Sequence, residues 1–176
     1  MTKYLSLLFV IFILNSCDKL DELTKFDITY NSTVEIKATA NLNLPFDIFT
    51  PDIETNSESE FEVNDTRKDL IEEIRLKQLE LTITSPDDQN FSFLESIRVY
   101  IAAEGLPEIQ IASKEDINST VENILELDIE DIDIQEYIKK DNFSLRLNTV
   151  TDEVLTNDVI MNVKSVFFVD AKILGI

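Results

Sequence analysis

Residues 159–173 read VIMNVKSVFFVDAKI, and how this stretch is read decides the fold. Val159, Met161, Val163, Phe167, Val169, Ala171 and Ile173 take odd positions, whereas Asn162, Lys164, Asp170 and Lys172 take even ones. A period of two is the mark of a strand with one face in the core and the other in water, and this parity sends every charge to the wet side. Phe168 breaks the rule by falling among the charges. Either a bulge near Ser165 and Val166 shifts the register, or Phe168 is an exposed apolar residue open to a partner.

The same alternation recurs along the chain. Phe26, Ile28, Tyr30, Val34, Ile36, Ala38, Ala40, Leu42 and Leu44 hold even positions, with Asn31-Ser32 as punctuation and Pro45 as the stop. Two strands, or one bent strand, are expected there. Residues 46–63 read as a surface loop with a short strand at Glu60 to Val63. A short helix should begin at Asp65 or Thr66, where Thr66-Arg67-Lys68-Asp69 has capping-box spacing and Leu70 and Ile74 share a face. Leu79, Leu81 and Ile83 then alternate up to the turn Ser85-Pro86-Asp87-Asp88. Phe91, Phe93, Ile97, Val99, Ile101 and Ala103 follow, then Ile109 and Ile111. Residues 117–129 fit both a helix and a strand, with a strand favoured from about Ile124. Asp133 should cap a brief helix that carries Ile134, Tyr137 and Ile138. Phe143, Leu145 and Leu147 resume the alternation and are expected to pair with residues 159–173 through the loop TDEVLTND, residues 151–158.

Strands at this spacing, joined by polar turns, predict a mainly β chain: a single antiparallel β-sandwich, immunoglobulin-like or jelly-roll-like, with one or two short helices, over residues 26–176. Gly105 and Gly175 are the only two glycines, so Asn, Asp, Ser and Pro must make the turns, and Gly-rich phosphate loops are excluded.

Charge and missing residue types narrow the function. The 176 residues carry 35 Asp plus Glu against 15 Lys plus Arg, a formal net charge of −20. A field of that sign repels polyphosphate, so nucleic acid is not an expected partner. The chain has no His, no Trp and one Cys, Cys17. Ser-His-Asp and Cys-His nucleophile pairs, the usual zinc sites and an internal disulfide are therefore unavailable. No cofactor and no metal are expected, and the chain does not read as an enzyme.

The first residues supply an address. Lys3 gives a positive start, residues 4–14 form an apolar run broken only by Ser6, and Leu14-Asn15-Ser16-Cys17 ends it. Such an order is that of a secretory signal, and an eleven-residue helix at about 1.5 Å per residue is too short for a hydrocarbon layer of about 30 Å. Leu14, Ser16 and Cys17 resemble the lipobox of bacterial lipoprotein signals, in which Leu and two small residues precede the modified Cys. The resemblance covers about the first eighteen residues. It implies cleavage after residue 16, diacylglycerol on the Cys17 sulfur, an acylated amino group, and a protein of the cell envelope held by lipid at the outer membrane. Residues 1–16 are then the signal peptide, and residues 17–25 the acylated Cys and an acidic tether. Lys3 is the only charge removed with residues 1–16, so the net charge becomes −21. Membrane association must come from the lipid on Cys17, since no basic patch is offered to an anionic surface. Asp18, Asp21 and Glu22 read either as part of a solvated linker or as the acidic export signal that some lipoproteins carry behind the Cys.

Three further features bear on chemistry. Alternation over the acidic stretch 126–133 puts Glu126, Asp128 and Glu130 on one strand face, where they would be a solvated surface or, less readily, calcium ligands; no site is assigned. Tyr100 has the opposite parity to Val99 and Ile101 and is the best candidate for an outward aromatic. Asn-x-Ser/Thr triplets begin at Asn31, Asn64, Asn90, Asn118 and Asn142, which a bacterial lipoprotein leaves unused. The expected function is that of a non-enzymatic structural or ligand-binding accessory domain, with an envelope protein or a glycan as partner. The alternatives are a carrier that holds an apolar lipid between its sheets and a hydrolase working with two carboxylates alone.

Overall fold

The computed structural model describes residues 24–39, 43–117 and 122–172. Residues 1–16, Cys17 and the tether up to residue 23, together with Ala40, Leu42, Asn118, Val121 and Ile173, lie outside the described residues. The strands are β1 (Lys25–Ile36), β2 (Phe46–Phe49), β3 (Ile53–Glu54), β4 (Ile71–Ser85), β5 (Leu94–Ala102), β6 (Ile109–Lys114), β7 (Ile124–Glu126), β8 (Asp128–Ile129), β9 (Asn142–Thr151) and β10 (Val159–Ala171). Two short helices, α1 (Ser57–Val63) and α2 (Gln135–Ile138), lie between them.

The strands form two antiparallel sheets, one ordered β1-β10-β4-β7 and the other β2-β9-β5-β6-β8, with β3 also on β9. The pairings nest: β1 with β10, β2 and β3 with β9, β4 with β7, and β5 with β6. A chain paired in this way is one long ribbon whose outer ends pair with each other and whose middle forms the β5–β6 hairpin. Rolled across two layers it is a jelly roll, which decides between the two sandwich types the sequence allows.

The interior shows why the alternation is so regular. In β10 every odd residue from Val159 to Ala171 is buried, and the strand pairs with β1 residue for residue from Lys25–Asp170 to Ile36–Val159. Tyr30, Phe143 and Phe167 meet edge to face in the middle of the sandwich, with ring centroids 5.3 to 5.8 Å apart. Phe143 belongs to one sheet and the other two rings to its partner, so the cluster ties the layers together. The Tyr30 hydroxyl donates to the Thr55 carbonyl at 2.7 Å, satisfying its one polar atom. Burial, and secondarily the charge of Glu60, pushes the Tyr30 phenol well above its ordinary range.

Several expectations are corrected. Residues 143–150 do not pair with residues 159–173: β9 and β10 lie in different sheets, and residues 152–158 cross between the layers with Leu155 buried. No bulge shifts β10 near Ser165 and Val166. The irregularity lies in the neighbouring strand, where pairing jumps from Val166–Gln78 to Phe167–Leu76 and leaves Lys77 unmatched. Phe168 keeps its even position and faces outward, partly buried, opposite Asp27 and Arg75. The helix expected from Asp65 or Thr66 through Ile74 is a 3-10 turn at Lys68–Leu70 followed directly by β4. A second unmatched residue, Glu72, puts Ile71 and Ile74 both inward, so a bulged strand imitates helical spacing. Conversely, the strand expected at Glu60 to Val63 is part of α1. Only Phe61 and Ser57 of that helix are buried, too few to show a helical period, while Glu58 and Glu60 favour its N-terminal end. The strand of the first alternating run ends at Ile36, and Leu44 is 58 % exposed.

Candidate ligand-binding face

The acidic stretch does not present one face. Glu126 lies in β7 opposite Glu80, Leu127 is buried where the chain passes from one sheet to the other, and Asp128 lies in β8. Its carboxylates are dispersed among separate partners. Lys114 donates to Asp128 at 3.1 Å, Gln110 to Glu130 at 3.1 Å, and Arg75 to Asp131. Asp133 accepts from the backbone N–H groups of Ile74 and Gln135 at 3.2 and 3.0 Å, which seats α2 against β4. Among the described residues no three carboxylates, His or Cys gather as a metal would require. Cys17 lies outside the described residues.

Tyr100 does face outward, and the structure shows what surrounds it. Register across the larger sheet sets Phe49, Arg146, Tyr100 and Gln110 in one row over β2, β9, β5 and β6. Asp47, Asn148, Arg98 and Ser113 make the next row. Arg146 is the centre. Its guanidinium carbon lies 4.1 Å from the Tyr100 ring centroid. Nε and one terminal nitrogen donate to the two oxygens of Glu108 at 2.8 Å each, and the other terminal nitrogen donates to Asp47 at 2.7 Å. Asn148 donates to the same Asp47 oxygen at 2.8 Å. These two donors, the Asn148 amide first and then Arg146, hold the Asp47 carboxyl below its ordinary range. Glu108 and Asp47 in turn raise the guanidinium.

This arrangement is stiff where an exposed arginine is usually floppy. Two carboxylates and a ring fix the fork, so little side-chain entropy remains to be lost when a ligand arrives. The face also keeps unused capacity: among the described residues three of the five guanidinium N–H groups are taken, and Asp47 is 41 % exposed. Phe49, beside Arg146 in the row, is 64 % exposed, an aromatic ring in water at the edge of a polar patch. Buried Phe61, Phe91, Phe93, Phe143 and Phe167 follow the core rule that Phe49 breaks.

The sequence pointed to Tyr100 alone. Arg146 and Asn148 share the outward parity of β9, between buried Leu145 and Leu147, but nothing linear connects them with Asp47 and Glu108, 99 and 38 residues away from Arg146. Phe49 lay in a stretch with no readable period. Elsewhere, two surface hollows of about 470 and 440 Å³ adjoin at α1 and share Glu58 and Lys68; both are lined by polar and charged residues.

No family model matches the chain, and no curated protein matches it. Among solved structures it is similar to the C-terminal domain of a chitobiase from Bacteroides fragilis, with 15 % identity over 75 % of this chain and 66 % of that chain and a TM-score of 0.33. It is also similar to CpGH89CBM32-5 from Clostridium perfringens, solved in complex with GalNAc-beta-1,3-galactose, with 10 % identity over 82 % of this chain and 97 % of that one at a TM-score of 0.34. Turnip yellow mosaic virus matches at 11 % identity over 86 % and 84 % of the two chains, with a TM-score of 0.27. Scores of this size leave the topology and the face to be read from this chain's own residues.

Proposed function

We propose that the protein is a cell-envelope lipoprotein, held at the outer membrane by lipid on Cys17, whose jelly roll binds a glycan on the outer face of its larger sheet and catalyses no reaction. The observation that carries the binding half is the row Phe49–Arg146–Tyr100 with Asp47 and Asn148 beside it. A pyranose has an apolar C–H face and a rim of hydroxyls. Phe49 offers a ring for the first, and Asp47, Asn148 and the remaining Arg146 donors offer acceptors and donors for the second.

Two features favour binding over the alternatives. Phe91, Phe93, Phe143 and Phe167, all fully buried, fill the space between the sheets that a lipid carrier would keep empty. A carboxylate-only hydrolase needs an acid whose pKa is raised, whereas Asp47, which shares Arg146 with Glu108, is lowered.

Each half has its own test. Against a glycan array, the wild-type protein should show a defined set of ligands, and Phe49→Ala should weaken that binding tenfold or more without lowering the melting temperature. Array binding that survives Phe49→Ala and Arg146→Ala alike would remove the face from the account. In cells, Cys17→Ser should leave the membrane fraction, since each buried acyl methylene contributes about 0.8 kcal/mol and all are lost at once. A Ser variant that is processed and sediments with membranes as before rules out the lipid anchor.

A further inference from the structure

We infer that the glycan is uncharged, and that the face turns away uronate and sulfated polymers; this rests on reading the face as the glycan site. Three cations stand on or beside it, and each is already paired. Arg98 contacts Glu115 at 2.8 Å, Lys114 contacts Asp128 at 3.1 Å, and Arg146 holds Glu108 and Asp47 at 2.8 and 2.7 Å. With Glu130 on Gln110, five carboxylates face three cations. An anionic sugar would have to displace Glu108 or Asp47 from Arg146, or approach the remaining N–H groups past both carboxylates. The formal net charge of −20 adds a repulsive field around every approach.

Hydroxyl groups meet no such barrier. They can donate to the exposed Asp47 carboxylate and accept from Asn148 or the free Arg146 N–H groups without breaking an ion pair. Arg146 thus acts as a rigid strut that presents Asp47 and covers Tyr100, and its charge is spent inside the cluster.

Native gels cast with single polymers read the charge class directly: laminarin and galactan as uncharged probes, polygalacturonate and heparin as anionic ones. An uncharged polymer should retard the protein in a manner that Phe49→Ala abolishes, and raising salt from about 20 to 300 mM should change that affinity less than twofold, because no net charge is neutralised. Neither anionic polymer should retard it. The double variant Asp47→Asn with Glu108→Gln, which leaves Arg146 unpaired, should gain retardation by polygalacturonate that falls as salt rises. Wild-type binding to either anionic polymer, lost in Arg146→Ala, would overturn the inference while leaving the glycan face standing. A double variant that melts like the wild type yet gains nothing would also overturn it. If no retardation by any of the four polymers depends on Phe49, the glycan-face reading itself fails.

Discussion

Phe167→Ala should destabilise the protein by roughly 3–5 kcal/mol, whereas Phe168→Ala should cost about 1 kcal/mol or less. The two residues are neighbours of one type, so the contrast isolates the face on which each stands. Phe167 is fully buried and packs edge to face on Tyr30 and Phe143, both 5.8 Å away. Its removal empties the point where the two sheets meet, and the two remaining rings, Tyr30 and Phe143 on strands of opposite sheets, cannot both move in to fill the void. Phe168 faces outward and is partly buried between the strands that carry Asp27 and Arg75. Denaturant melts measure both losses. A greater loss at Phe168 than at Phe167 would mean that the outer face of β10 is the covered one.

Single-residue deletions in β4 should differ even more. Lys77 has no partner on β10, so its deletion should close the bulge and leave Leu76, Leu79, Leu81 and Ile83 inward. The Lys77–Asp27 ion pair, 2.6 Å long and solvent-exposed, contributes little that would be missed. Glu80 is in register with Lys164 on one side and Glu126 on the other. Deleting it turns outward either Leu81 and Ile83 or, if closing the bulge at Lys77 absorbs the step, Leu79 while Gln78 turns inward. Each such chain lost from the core costs about 2–5 kcal/mol and a buried Gln adds its own cost, together of the order of a whole domain's stability. The Lys77 deletion should therefore melt cooperatively and the Glu80 deletion should not fold. Equal behaviour would show that the bulge is not where the register places it.

The bulges also explain which parts of the fold were legible in the sequence. Where pairing is unbroken, as in β1 or β9, strict parity names the buried residues, because a strand with one dry face has no other way to arrange them. In β4 the unmatched Glu72 and Lys77 each insert a step, and Leu70 with Ile74 then looks like one turn of helix. Topology was less legible than parity. Sequence nearness suggests a hairpin of residues 143–150 with 159–173, yet both segments are buried on one face only and each fits either layer. The nesting of β1 with β10 and of β2 with β9 is decided by contacts about a hundred residues or more apart in sequence. The acidic stretch misled for a related reason: alternation places Glu126, Asp128 and Glu130 together only if they stay in one strand, and Leu127 carries the chain between sheets.

The proposed binding face was legible only at Tyr100, whose parity is visible within β5. Asp47 with Phe49, Glu108, and Arg146 come from three separate parts of the chain, and a charged residue at an outward position reads as ordinary solvated surface until its partners are known. What distinguishes Arg146 is its three fixed contacts, with Asp47 and Tyr100 through register across β2, β9 and β5 and with Glu108 from the connection between β5 and β6, which no local pattern encodes.

Chemical-shift mapping on the isotopically labelled protein tests the proposed binding face most directly, with the strongest uncharged glycan from the array as the titrant. Saturable shifts should concentrate on the amides of Asp47, Phe49, Tyr100, Arg146 and Asn148 and on the Arg146 Nε–H, and Phe49→Ala should abolish them at the same glycan concentration. Shifts confined to the hollows around α1 or to the turns that join the two sheets, with the Phe49–Arg146–Tyr100 row unmoved, would contradict the account.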